Sequence, residues 1–442
     1  MIKKAVWFFI LLAVILVYLF WTDFGLIKKL IGSNAPTPAE SPSVSPDGEL
    51  SFLNLPEGLK ISVVAKDLEG PRVIVFDANG RMLVSETKAG RVSILEDPVR
   101  NSLSSNGASK DIALKTRRTL IDGLKSPHGS AFYQDEKTKT LYLYIAETHQ
   151  VARYPYNLKT GRLLNPVGEN ITNLPAEGRH FTRTIAFGPN FRKSPILKGG
   201  NEAATLSQTK LYISIGSSCD VCEENSWKRA AILESDPEGT FTAEFAGGLR
   251  NAVFFTFHPE TREIWATEMG RDNLGDNLPP DEVNIVKVAE TDDKFGARRY
   301  GWPFCYGNKV KDKTFNPDKF GRVDIPQDCG QTESAVIELP AHSAPLGLAF
   351  VPEDGEWPKD WRGDLLVAYH GSWNRSIPTG YKIVRVEADK NGKVSKTKDF
   401  ISGWLATNNQ ILGRPVDLKF GPDGALYVSD DAAGLIYKIQ PR

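Results

Sequence analysis

The chain has 442 residues, with 54 basic and 54 acidic side chains and a formal net charge of zero. That balance gives neither the broad basic field that nucleic-acid binding needs nor the charge excess of a disordered polypeptide. A single domain of this length is still allowed if it is a repetitive all-β fold, which grows by adding units around an axis rather than by thickening one core.

Lys3 and Lys4 open the chain, and an uncharged apolar run follows from Ala5 to Trp21. At about 1.5 Å per residue the run spans roughly 25 Å, close to a bilayer's hydrocarbon core of about 30 Å. Bulky Tyr18, Phe20 and Trp21 lead into Phe24, Leu26 and Ile27, where a cleaved leader would show a small-x-small site. The expectation is an uncleaved signal-anchor helix over residues 1–32. Although Lys28 and Lys29 follow the run, the short leading stretch places the N-terminus inside and the body outside the cytoplasm. Residues 33–50 are rich in Pro and Ser and read as a semi-extended linker. No Cys follows the apolar run, so nothing indicates lipid modification.

Four cysteines in a large exported body fit two disulfides. Cys219 and Cys222 form a Cys-x-x-Cys, and Cys305 and Cys329 flank a Gly/Asn-rich loop. For the first pair a redox or zinc role stays open, though no second pair stands at ligand spacing. Covalent c-type haem is not indicated, because Cys-x-x-Cys-His is absent.

Over 51–442, short alternating strands recur and helical periodicity is scarce. One phrase repeats: an apolar strand, a turn built on Asp, Pro, Asn or Gly, then a second strand. Copies begin near Val73, Gly129, Thr184, Val253, Leu346 and Val416, at uneven spacings of roughly 55 to 95 residues, which implies long loops. The pattern predicts an all-β, six-bladed β-propeller. The strand near Ile61 is expected to close the ring beside the last strand near Ile436, which removes an open edge. A sandwich or several small β domains is the alternative.

Polar residues stand just before the repeated strands, where a propeller chain emerges near the central channel: His128, then His180 and Arg183, then Arg250-Asn251, then His342, then Arg414. His370, Trp373 and Arg375 follow a strand instead. Guanidinium and imidazole groups converging on one channel suit an anionic planar cofactor, since Arg forms forked carboxylate contacts and His titrates near neutrality. Each of these residues alone is as easily a strand cap or half of an ion pair. Glu268 to Asp272, Asp281 to Asn284 and Tyr300 to Pro303 supply carboxylates and bent backbone of the kind Ca²⁺ prefers, or an acidic surface loop. His149 and His258 read as structural or surface residues.

Taken in order, HFTRTIAFGPN from His180, LRN at Leu249, EMG…DEVN…YGWP from Glu268, AHSAPLGLAF from Ala341, HGSWNR at His370 and GRPVDLKFGPDG from Gly413 resemble the pyrroloquinoline quinone (PQQ) dependent glucose/sorbosone dehydrogenases. The likeness is to the soluble aldose dehydrogenase type of propeller, in its sorbosone-dehydrogenase-like branch, over roughly Phe52 to Gln440. It implies His180 as general base and Arg250 as the group polarising the quinone. It also implies Asn251, Arg183, Arg414 and His128 around PQQ, and the carbonyls of Gly270 and Arg271 on Ca²⁺. Trp373 and Arg375 stand where relatives carry a lysine. Arg179 and Val416 depart from the soluble glucose dehydrogenases, which have an acidic residue and an Arg there. The resemblance implies oxidation of an aldose or related aldehyde at C1, with electrons passed to a membrane quinone or a carrier protein. Two other functions fit similar propellers: a recognition module, and a calcium-dependent lactonase.

Overall fold

The computed structural model describes residues 50–96, 115–192, 208–289 and 296–442. The chain divides into two units, Met1–Pro36 and Thr37–Arg442, and the described residues belong to the second. The expected anchor over 1–32 and nearly all of the linker lie outside the described residues. No described helix is long and apolar enough to cross a membrane.

Six blades, each built on four antiparallel strands and two of them carrying a short fifth strand, form a β-propeller, and among the described residues helix is confined to the short turns Cys329–Gln331 and Lys359–Trp361. From the axis outward, blade 1 is Pro71–Phe76, Met82–Glu86, Arg91–Glu96 and Thr116–Ile121. Blade 2 is Ser130–Gln134, Leu141–Glu147, Gln150–Asn157 and Glu169–Asn173. Blade 3 is Ile185–Pro189, Thr209–Ile215, Ala231–Ser235 and Thr242–Gly247. Blade 4 is Phe255–Phe257, Ile264–Glu268, Asp281–Val286 and Ile337–Leu339. Blade 5 is Pro345–Phe350, Leu365–Tyr369, Lys382–Ala388 and Val394–Ile401. Blade 6 joins Pro415–Phe420, Leu426–Asp430 and Leu435–Pro441 to the first strand of the body, Leu59–Ala65. The six repeated phrases are therefore the two inner strands of the six blades. Ring closure falls where expected, with Leu59 opposite Pro441 and Val63 opposite Tyr437.

Burial explains the strand compositions. Second strands such as MLVSE, IWATE, LLVAY and LYVSD are buried at every position, because neighbouring blades cover both of their faces. Fourth strands such as TRRTLI and VSKTKDFI are largely exposed and rich in Lys and Arg, which blunts each outer edge against pairing with another chain. Blade 4 accounts for the longest gap between copies. Between its third and fourth strands the chain makes an excursion that carries the Cys305–Cys329 disulfide and a small cluster of Phe304, Phe315, Phe320 and Ile325. Cys219 and Cys222 are also disulfide-bonded, which removes the thiolates a zinc site would need.

Hydroxyl groups on second strands tie one blade to the next. Ser214 Oγ donates to the Val253 carbonyl at 3.3 Å, Thr267 Oγ1 to Leu346 at 2.8 Å, and Ser429 Oγ to Arg72 at 2.5 Å. Thr267 is fully buried, so Thr267→Val strands a buried carbonyl at no cost in volume. The expected loss is about 1–3 kcal/mol, read as a lower denaturation midpoint with unchanged m-value. The innermost strands of all six blades surround a channel cavity of about 430 Å³, lined by side chains such as Phe187, Phe257, Phe350 and Phe420.

Candidate active site

The segments that precede the innermost strands of blades 3, 4 and 5 gather at one end of this channel, around a cavity of about 270 Å³. Blade 3 contributes Arg179 and His180, and blade 4 contributes Arg250 and Asn251 together with Met269, Gly270, Asp272 and Asp281. Blade 5 contributes His342, Ala344, Trp373 and Asn374.

His180 is set up as a base. Its Nδ1 lies 2.8 Å from the Ser217 carbonyl oxygen and 3.1 Å from Ser217 Oγ. A carbonyl can only accept, so Nδ1 carries the proton and Nε2 keeps its lone pair. Burial, reinforced by the nearby Arg250 guanidinium, pulls the His180 pKa down to about 3, so the ring is neutral at ordinary pH. Gly216 makes the arrangement possible: a Cβ there would stand 2.4 Å from Asn251 Oδ1 and 2.6 Å from His180 Cβ.

Arg250 is buried, and all five of its N–H groups are already used. Nε donates to the Asp220 carbonyl at 3.0 Å, and Nη1 donates to the Gly270 carbonyl at 2.8 Å and to Met269 at 3.2 Å. Nη2 donates to Asp220 Oδ1 at 2.9 Å and to Asp272 Oδ2 at 3.3 Å. With its N–H groups committed to the protein, what Arg250 offers the cavity is a fixed positive charge. The accessible cation is Arg179, whose side chain is 46% exposed and which bonds Asp272 Oδ2 at 3.1 Å. Trp373, 58% exposed, adds an aromatic ring to the cavity lining.

Four of the residues expected at the cofactor do not line this cavity. Arg183 is fully buried and spends its Nη groups on the carbonyls of His180, Thr182 and Pro175, all at 2.7–2.8 Å, so it holds the His180 segment from behind. His128 is fully buried against Phe254, and burial holds its pKa well below the usual value. Arg414 lies over the Tyr381 ring and donates to the His370 and Gly371 carbonyls. Arg375 is tied to the Ala341 carbonyl and Asn277 Oδ1. The Arg271 side chain bonds Asp312 at 2.8 Å and lies 3.7 Å from Asp220, outside the cavity lining.

Behind Arg250 a void of about 20 Å³ lies beside Glu268 and Glu282, room for about one water. Burial pushes Glu282 up to about 7 and Glu268 well above the usual range. For Ca²⁺, the hard oxygen donors near this end are the Gly270 carbonyl and the Asp272 and Asp281 carboxylates. The Gly270 oxygen is engaged by Arg250. Among the described residues, the one group of three or more Cys, His or acidic ligand atoms close enough to share an ion is Cys219, Cys222 and Glu224, whose cysteines are disulfide-bonded.

Fold and site together define a six-bladed β-propeller with a cavity at one end of its channel lined by a neutral histidine, two arginines and two aspartates. The chain belongs to the TrAA12-like family, whose model matches residues 53–442. An uncharacterized protein of Borreliella burgdorferi is 28% identical over 397 residues, covering 88% of this chain and 91% of its own length. A pyrroloquinoline quinone-dependent sugar dehydrogenase of Hypocrea jecorina is 23% identical over 420 residues, covering 87% of this chain and 88% of its own. Among solved structures, the calcium structure of the Trichoderma reesei family AA12 protein shares the fold with a TM-score of 0.66. That match has 20% sequence identity and covers 92% of this chain and 99% of that one.

Proposed function

We propose that this chain is a PQQ-dependent sugar dehydrogenase that oxidises an aldose or related aldehyde at C1. The observation that carries the reading is His180: a neutral imidazole with its Nε2 lone pair free, fixed beside Asn251 and a cluster of arginines, in a chain of the TrAA12-like family. His180 Nε2 takes the proton from the sugar hydroxyl as C1 is oxidised. PQQ, when bound, supplies the acceptor for the hydride that leaves C1. Arg179 offers its half-exposed guanidinium to a cofactor carboxylate, Trp373 its ring face, and Arg250 a fixed positive charge. The buried Asn251 Oδ1 has no hydrogen-bond partner among the described residues, which leaves it to accept from a bound hydroxyl or to meet a cation. The Gly270 and Arg271 carbonyls are the proposed Ca²⁺ ligands, and the metal would contend with Arg250 for the Gly270 oxygen.

We place the propeller on the extracytoplasmic side of a membrane, passing electrons to a membrane quinone or a carrier protein. Two disulfides and the apolar run from Ala5 to Trp21 support that placement. Protease added to intact cells should then digest a C-terminal tag. To test the activity, membranes carrying the full chain are stripped with chelator and supplied with PQQ and Ca²⁺ separately and together across an aldose panel. Dye reduction that requires both additions is the expected result. Absence of PQQ binding at micromolar concentration would move the chain to a recognition role.

A further inference from the structure

One loop holds both the base and the buried cation. Between the second and third strands of blade 3 the chain runs Ser217-Ser218-Cys219-Asp220-Val221-Cys222-Glu223-Glu224. The Cys219–Cys222 disulfide closes its middle. Glu224 closes its ends by accepting from Ser218 N at 2.6 Å and Ser218 Oγ at 2.8 Å, and Ser217 Oγ donates to the Cys219 carbonyl at 2.6 Å.

Two residues of this loop reach into the site. The Ser217 carbonyl fixes the tautomer of His180, and Ser217 N donates to the Arg250 carbonyl at 2.6 Å. Asp220 accepts four hydrogen bonds, two through its backbone carbonyl and two through its carboxylate. Its carbonyl accepts from Arg250 Nε and from Trp302 Nε1 at 3.1 Å. Its carboxylate accepts from Arg250 Nη2 and from Asp272 N at 2.7 Å. The same carboxylate pairs with Arg271 at 3.7 Å and Arg179 at 3.9 Å, so three guanidinium groups converge on it. A carboxylate there offsets their mutual repulsion and holds Arg250 in one orientation.

We propose that the Ser217–Glu224 loop is the positioning element of the reaction, with Asp220 as the positioning residue for Arg250 and the disulfide as the lock on the loop. This rests on the dehydrogenase reading. Short polar loops between strands are ordinarily among the more mobile parts of a fold. Here the covalent closure removes that freedom at the place where an error of about 1 Å costs on the order of 10²-fold in rate.

The test uses the full chain reconstituted with PQQ and Ca²⁺, comparing Asp220→Ala, Asp220→Asn and the paired Cys219→Ser/Cys222→Ser variant. Four quantities are read: PQQ affinity by fluorescence quenching, kcat per PQQ bound, sugar KM, and Tm. Asp220→Ala is expected to lower kcat per bound PQQ by roughly 10²-fold, weaken PQQ binding, and leave sugar KM within a few-fold. Asp220→Asn keeps an accepting oxygen but no charge, so it should recover part of the loss. The disulfide variant should lose about 10-fold in kcat and show faster amide hydrogen exchange over 217–224 in the cofactor-free protein. A wild-type kcat per bound PQQ in Asp220→Ala, or losses that only follow the fall in Tm, overturns the proposal. If Asp220→Ala does not fold, the near-isosteric Asp220→Asn decides by the same measures. A wild-type chain that binds no PQQ at all sinks the dehydrogenase reading, and unchanged exchange over 217–224 in the disulfide variant then sinks the positioning role separately.

Discussion

His180→Ala is expected to lower kcat/KM for sugar oxidation by about 10²–10⁴-fold, the usual worth of a positioned general base, while PQQ binding stays near wild type. The separation follows from the geometry: His180 is fixed through Nδ1 to Ser217, and the cavity's positive charge comes from Arg179 and Arg250, the cations proposed to attract the cofactor. The pH profile adds a second check. With its pKa near 3 the base is already deprotonated at pH 5, so His180 contributes no acid limb to kcat/KM above about pH 4. An acid limb at the ordinary histidine value of about 6.5 that vanishes in a His180 variant would contradict this environment. The same depression affects stability. The folded state resists protonation of His180 and the unfolded state does not, so this contribution is complete above about pH 6.5 and is lost as pH falls toward 3. His180→Ala should therefore lose Tm less steeply than wild type between pH 6.5 and 4.

Gly216→Ala is expected to abolish measurable turnover although it adds a single methyl group. The new carbon would stand 2.4 Å from Asn251 Oδ1 and 2.6 Å from His180 Cβ, inside van der Waals contact with both. His180 cannot yield cheaply, since its ring is anchored to Ser217, and the unpartnered Asn251 amide oxygen can yield only by swinging out of its place beside the base. Over-filling such a site costs about 1–3 kcal/mol of stability, whereas the displaced base and amide would remove the reactive geometry altogether. Near-native circular dichroism with no dye reduction is the expected pair of results. Full activity would show that His180 and Asn251 are not held as described.

Much of the fold was legible because blade architecture repeats a local pattern. Each copy of the strand–turn–strand phrase became the inner pair of a blade, and the stray strand near Ile61 closed the ring. The site was less legible, for a reason visible at Arg183 and His128. Both precede an innermost strand as expected, yet which way a side chain turns there depends on the packing of neighbouring blades, which spacing alone does not encode. His180 faces the cavity, while Arg183, three residues on, faces inward onto carbonyl oxygens. Arg179 drew notice only as a departure from the related enzymes, and it proves to be the exposed cation of the cavity. Asp220 went unnoticed because it sits inside a Cys-x-x-Cys, a pattern that draws attention to its sulfurs. The neighbouring signal was present in hindsight: an acidic residue locked between two bonded cysteines is held still for some purpose.

The closure of blade 6 also sets a schedule for making the protein. Leu59–Ala65 leaves the ribosome early, and its partner Leu435–Pro441 is the last strand of the chain. Roughly 370 residues separate them, so at about 5–20 residues per second the first strand waits on the order of 20–70 s for its mate. Throughout that interval the nascent chain carries a β-strand with both edges open and apolar side chains at Leu59 and Val63 that will later be buried. Production of this propeller should therefore depend more on holding factors during synthesis than its finished stability suggests.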